Sequence, residues 1–249
     1  MKPYDKKYIF QQIEKYNELI DEKTYGNYKI VKNYIDNESM QGYMYENTKS
    51  YNLPVIKLLK DDISLMRLTL KEIESSFCAI KFAHGKVGII GLGLGYVVQE
   101  IAKKEEVEEV IVYEISEEVI NLYKHNFHEN RKIKIIHGDA FKAKSDKFDF
   151  FYVDIYEYKL TEKVVEDYKA FNRLHEIEDY SFWGMEHFLL SCKYEDILWV
   201  YIPEIWVEMS KKMYEALDMS SYIKQYKQLD EDKVRDILFK FKEVLNSEM

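Results

Sequence analysis

Five of the nine glycines in this chain, Gly85, Gly88, Gly91, Gly93 and Gly95, fall within eleven consecutive residues. Glycine is costly wherever the backbone need not turn tightly or approach something closely, so the cluster is the first place to look for a ligand. It begins in a short apolar run, Lys86-Val-Gly-Ile-Ile-Gly91, and continues as Gly91-Leu-Gly-Leu-Gly-Tyr96. A dinucleotide-binding fingerprint would carry glycine at position 96, where tyrosine stands, and a P-loop would need Gly-Lys-Ser/Thr, which is absent. The loop offers no cationic side chain, which favours a nucleoside over a pyrophosphate. A tight structural turn is the competing reading of the same run.

Around this loop, residues 85 to about 155 alternate strand and helix. Tyr96 to Lys104 is helical, Glu109-Val-Ile-Val-Tyr-Glu114 has a buried-strand pattern, and Ser116 is a candidate N-cap for a helix through Phe127. Lys132-Ile-Lys-Ile-Ile-His137 and Phe148-Asp-Phe-Phe-Tyr-Val-Asp154 read as further strands. Repeated βα units of this length imply a parallel sheet with right-handed crossovers. Such sheets bind ligands at the carboxyl ends of their strands, where strand order reverses. Here each strand ends on a polar or special residue: Gly91, Glu114, Gly138-Asp139 and Asp154.

Glu114 stands 23 residues after Gly91, close to the spacing of roughly 20 at which an acid accepts hydrogen bonds from ribose hydroxyls in nucleotide-binding α/β folds. As a carboxylate at a strand end, it is expected to contribute little to folding. Asp139 can accept from an adenine amino group while the backbone N–H of Ala140 donates to a ring nitrogen; an Asx-turn after Gly138 is its plainer role. Asp154 closes a strand too apolar to face solvent. It is the one candidate for a catalytic or substrate-orienting group, with a helix N-cap or a salt bridge as the alternative.

The flanks are less specific. Residues 1–84 read as an attachment packed on the α/β region: an amphipathic helix on Ile9, Ile13, Tyr16, Leu19 and Ile20, hairpin pieces around Asp36–Ser39 and Gly42, and two runs joined at Lys60-Asp61-Asp62. A helix is predicted from about Thr69 to Ala83. Residues 85–249 form the main domain, with a largely helical extension beyond Thr161 that includes the region Tyr180-Ser-Phe-Trp183. The stretch Trp199 to Val207 is ambiguous around Pro203.

A net charge of −9 removes any general electrostatic reason to bind phosphate backbones, so nucleic acid is not an expected partner. No apolar run approaches the roughly 18 residues of a membrane span, and no signal-peptide h-region follows the N-terminus. Two cysteines, Cys78 and Cys192, exclude a disulfide framework and are too few for a thiolate zinc site. The expectation is a reduced, cytoplasmic protein without a metal. His125 and His128, spaced to share a helix face, lack partner ligands nearby. Trp183, Trp199 and Trp206 are expected mainly in core packing, and Lys103-Lys104 at a solvated helix end.

Taken together, Val87 to Gly95, Val112-Tyr-Glu114, His137-Gly-Asp139 and Phe148 to Asp154 resemble, in order, the four motifs of class I S-adenosylmethionine-dependent methyltransferases. The likeness is nearest to the spermidine-synthase-like branch, on Val110 to Val119, and the whole-chain layout resembles methyltransferase-like proteins of Firmicutes and their phages. The resemblance implies a Rossmann-like, mostly parallel sheet and S-adenosylmethionine as cofactor, with Gly91, Gly93 and Gly95 at the close approach, Glu114 on the ribose, and Asp139 and Ala140 on the adenine. It implies methyl transfer to a small molecule or protein acceptor. Two alternatives stand beside it: aminopropyl transfer from decarboxylated S-adenosylmethionine, and a non-catalytic binding or assembly protein, possible as a homo-oligomer. The chain departs from spermidine synthases at Leu94 and at Asp154-Ile-Tyr-Glu157, where their diamine-binding acids are not all matched. It also lacks the Pro-Pro and Pro-Cys signatures of DNA methyltransferases.

Overall fold

In the computed structural model, which describes residues 2–34, 41–46, 53–156 and 158–246, the chain builds two sheets. Helix α1 (Lys6–Leu19) starts where the Asp5 side chain accepts the Tyr8 N–H, and it buries Ile9, Ile13 and Tyr16. Strands β1 (Lys23–Tyr25), β2 (Tyr28–Tyr34), β3 (Pro54–Lys60) and β4 (Ile63–Leu68) follow, paired antiparallel in chain order. The β3–β4 turn is made where the sequence places it, with Asp61 and Asp62 both left-handed (φ 49° and 66°). The first hairpin turns at Gly26-Asn27; the turn expected at Asp36–Ser39 lies outside the described residues.

The helix predicted from Thr69 to Ala83 is two helices, α2 (Leu70–Ser75) and α3 (Phe77–Phe82). Ser76 separates them: its Oγ donates back to the Glu72 carbonyl at 2.7 Å, a local bond that competes with helix continuation. Then come β5 (Gly85–Ile90), α4 (Tyr96–Ala102), β6 (Val107–Glu114), α5 (Glu117–Asn126), β7 (Ile133–His137) and β8 (Lys147–Val153). Ser116 caps α5 as expected, accepting the Val119 N–H on its Oγ.

Beyond α6 (Lys163–Leu174), residues Glu176–Phe182 form a strand, β9, rather than the helical region expected around Tyr180–Trp183. Its exposed, charged first half and buried Tyr180-Ser-Phe are the pattern of an edge strand, which does not alternate cleanly. The remainder is helical: α7 (Met185–Ser191), α8 (Tyr194–Val200), α9 (Glu204–Asp218) and α10 (Glu231–Leu245). The ambiguous stretch resolves as the end of α8 and the start of α9, with Pro203 at the N-cap.

The second sheet is ordered β7-β6-β5-β8-β9 and every pairing in it is parallel. This is a Rossmann-like, doubly wound sheet, and strand order reverses between β5 and β8. The first sheet and α1 pack against it. The Tyr16 hydroxyl donates to Glu100 on α4 at 2.7 Å, and the Asp21 N–H donates to Asn126 Oδ1 at 2.7 Å. Lys104, expected to be solvated, instead donates to the Lys81 and Ala83 carbonyls at 2.7 and 2.6 Å, closing the end of α3. Trp206 is fully buried and donates its indole N–H to the Tyr180 carbonyl, Trp183 is 6% exposed, and Trp199 is largely exposed. Among the described residues, no helix is long and apolar enough to cross a membrane.

Candidate functional site

The switch point of the parallel sheet carries the glycine loop. Gly91 leaves β5 with φ 99°; its N–H is tied to the Tyr113 carbonyl on β6, and the Asp154 N–H to the Ile90 carbonyl, both at 3.0 Å. A Cβ at Gly91 would stand 2.7 Å from the Asp154 carbonyl oxygen. The loop therefore threads between two strand ends where only glycine fits. Gly93 is also left-handed, and a Cβ there would stand 2.5 Å from Met66 Sδ on β4.

A cavity of about 230 Å³ opens at this point, floored by the carboxyl ends of β5, β6 and β8 and roofed by residues of β2, β3 and β4. Gly91, Gly93, Glu114 and Asp154 line it together. Gly95 does not; it is the left-handed N-cap of α4 and packs on Tyr123. Asp139 and Ala140 also lie outside it: Asp139 Oδ1 accepts the Phe141 N–H at 3.1 Å, and Oδ2 pairs with Lys142 at 3.1 Å. Hydrogen bonding to Lys142 first, and to the Phe141 N–H second, holds the Asp139 carboxyl below its ordinary range. The Asx-turn role is thus filled, and Ala140 opens a short 3-10 turn behind it. His125 and His128 share no helix, since α5 ends at Asn126. No group of three or more potential metal ligands occurs among the described residues.

Glu114 is 9% exposed. Its Oε2 accepts the Leu92 N–H at 3.0 Å and its Oε1 the Ser116 N–H at 2.9 Å. A carboxylate has about four acceptor positions, so Glu114 braces the loop and still has capacity for further donors.

Sequence reasoning did not find Glu72. It comes from α2, is 2% exposed, and lines the same cavity as Asp154. The Tyr158 hydroxyl donates to it in a very short hydrogen bond, and Ser76 Oγ donates at 3.3 Å. Burial raises the Glu72 carboxyl against these hydrogen bonds. Burial first, and Glu72 second, push Asp154 well above the ordinary carboxylate range. Asp154 accepts no hydrogen bond among the described residues, and Glu157 lies outside them. Two residues before Asp154 on the same strand face, Tyr152 is 1% exposed and its hydroxyl has no hydrogen-bond partner among the described residues. The cavity thus holds three carboxylates, an unpaired buried hydroxyl and several tyrosine rings, and no lysine or arginine lines it among the described residues.

Met66 was also not legible in the sequence. Its Sδ accepts the Leu94 N–H at 3.2 Å, so a side chain of the first sheet occupies a donor of the glycine loop.

No family model and no curated protein matches the chain. Among solved structures, it is similar to spermidine synthase from Thermotoga maritima at 17% identity and a TM-score of 0.40, over 80% of this chain and 62% of that one. It is similar to the 23S rRNA methyltransferase ErmE at 16% identity and a TM-score of 0.35, over 43% of each chain. It is similar to ribosomal protein L11 methylase from Lactobacillus delbrueckii subsp. bulgaricus at 14% identity and a TM-score of 0.38, over 61% of this chain and 68% of that one. The chain spans less than two thirds of the length of the first two. The Rossmann-like character of the parallel sheet rests on its own strand order and pairing.

Proposed function

We propose that the chain binds S-adenosylmethionine at the switch point and transfers its methyl group to a small-molecule or protein acceptor. The observation that carries this reading is the charge of the cavity. Three carboxyl groups, of which Asp154 and Glu72 are raised toward protonation and would ionise more readily beside a bound cation, face a loop of left-handed glycines with no cationic side chain among the described residues. This suits a positively charged nucleoside and disfavours a pyrophosphate. The residues present fit the group: a close-approach loop, a braced acid at the end of β6, and an unpaired hydroxyl on β8. Asp139 and Ala140 remain candidates for the adenine from outside the cavity.

A sulfonium supplies an already activated methyl group, so the chain's own work is alignment and exclusion of water. Gly91 and Gly93 permit close backbone approach. Glu114 has acceptor capacity for ribose hydroxyls. Asp154, which accepts no hydrogen bond among the described residues and is raised toward protonation, is placed to orient the acceptor or take a proton from it, while Glu72 holds it in a buried, like-charged setting. Calorimetric titration with S-adenosylmethionine and S-adenosylhomocysteine tests the reading; absence of binding by both to folded protein defeats it.

A second reading, aminopropyl transfer, draws on the same absence of a lining cation, since decarboxylated S-adenosylmethionine has no carboxylate to pair. Incubation with putrescine and each form of the cofactor separates the two. Product formed only from the decarboxylated form would replace methyl transfer.

A further inference from the structure

Beside the first cavity lies a second, of about 240 Å³, and Tyr158 lines both. Its polarity is opposite. Lys71 and Lys227 line it, and no aspartate or glutamate does among the described residues, in a chain whose net charge is −9. Its walls are aromatic: Tyr43, Tyr158 and Trp183.

Lys71 is the central group. It is half-buried and makes no ion pair among the described residues. Its ammonium stands 4.6 Å from the centre of the Tyr158 ring and 5.7 Å from that of Trp183, and the two rings meet edge to face at 5.1 Å. Trp183 and Tyr43 are each 6% exposed; the Tyr43 hydroxyl lies beside the buried Glu186 carboxyl, whereas the Trp183 indole N–H has no hydrogen-bond partner among the described residues. Lys71 has only the more distant Glu72 carboxyl as a counter-charge and the Trp183 donor has no acceptor among the described residues, so both are served by the same thing, a negatively charged oxygen in the cavity. Lys227 supplies a second positive charge at the rim, where it pairs with Glu46 at 3.7 Å. His187 adds none: its Nε2 faces the Lys227 carbonyl at 2.7 Å, and burial brings its pKa down to about 4. Behind the wall, burial pushes the carboxyls of Glu74 and Glu186 up to about 8 and about 7, which reduces the negative charge they carry near neutrality.

We infer that this cavity is the acceptor subsite and that it takes a small aromatic anion, a carboxylate or phenolate, held by Lys71 and the Trp183 indole N–H between aromatic walls. Its role as an acceptor subsite rests on the transferase reading above; its binding of an aromatic anion does not. The pairing of a cation site with an anion site across Tyr158 matches the charge flow of the transfer. An acceptor oxygen lone pair forms the bond to the methyl carbon, the carbon–sulfur bond breaks with its electron pair left on sulfur, and sulfonium and anion both end neutral. An acceptor bound as its anion needs no proton moved, so of the two roles given to Asp154 above only orientation applies to it.

The test is calorimetric titration of the full chain, without cofactor, using benzoate and, as an isosteric cation, benzylamine. Benzoate is expected to bind and benzylamine not to. Lys71→Met should weaken benzoate roughly 10-fold or more, and Trp183→Phe, which keeps the aromatic wall and removes one donor, several-fold. Failure of folded parent protein to bind benzoate, preference for benzylamine, or unchanged benzoate affinity in Trp183→Phe and in folded Lys71→Met would overturn the inference. Should Lys71→Met not fold, Trp183→Phe alone decides. A titration with S-adenosylmethionine on the same samples separates failure of this subsite from failure of the transferase reading.

Discussion

Glu114 and Leu92, 22 residues apart, are joined by a 3.0 Å hydrogen bond from the Leu92 N–H to the buried Glu114 carboxylate. The acid at the end of β6 therefore builds the glycine loop as well as facing the cavity. This reverses the expectation that replacing it would leave folding unchanged. In Glu114→Ala the Leu92 and Ser116 N–H groups lose their acceptor, at about 1–3 kcal/mol for each buried donor. Thermal or urea unfolding should show a loss of about 2–4 kcal/mol, together with a roughly 10- to 100-fold loss in cofactor affinity. Undiminished stability would contradict the bracing role, and undiminished affinity the ribose role.

Asp154→Ala is expected to separate differently. Its carboxyl faces the cavity, and among the described residues it braces no backbone group. Turnover should fall by about 100-fold or more, in line with loss of a group that orients or deprotonates the acceptor, while cofactor affinity changes by less than about threefold. An equal loss in both would move Asp154 to the cofactor.

Met66→Ala should release the Leu94 N–H and open space above Gly93. Cofactor affinity is expected to rise by about 2- to 10-fold, the scale of one neutral hydrogen bond no longer displaced. Weaker binding would mean that Met66 forms part of the ligand's wall.

The parallel core was legible because its strands are apolar runs with polar ends and its α5 cap is a serine followed by two acids. The hairpin turn at Asp61-Asp62 was legible for the same local reason. What escaped were residues whose role is made by tertiary contact. Glu72 looks like any helix-surface glutamate until α2 brings it to the same cavity as Asp154, 82 residues away in sequence. Met66 looks like a strand apolar residue until the first sheet roofs the glycine loop. Strand β9 was missed because its first half is charged, and the break at Ser76 because a single serine hydroxyl bonding backward leaves no mark on hydrophobic periodicity.

Stability should also carry a pH signature. Glu74 accepts the Tyr43 N–H at 2.8 Å and the Tyr45 hydroxyl at 2.9 Å, yet burial outweighs both and pushes it from 4.5 to about 8. A raised carboxyl favours the folded state in its protonated form. Its contribution is full below about pH 4.5 and is lost as pH rises through about 8; Glu186, raised to about 7, acts in the same direction. The melting temperature should fall between about pH 5 and 8, and Glu74→Gln, which keeps an acceptor oxygen without the charge, should flatten that fall. A slope unchanged in Glu74→Gln would contradict it.

The central claim is that the acidic cavity at the β5–β8 switch point holds a sulfonium nucleoside. Calorimetric titration of the folded full chain with S-adenosylmethionine and S-adenosylhomocysteine tests it most directly. The account predicts saturable binding at one site per chain, weakened in Glu114→Ala. No detectable binding of either ligand to folded protein, or equal binding by parent and Glu114→Ala, would contradict it.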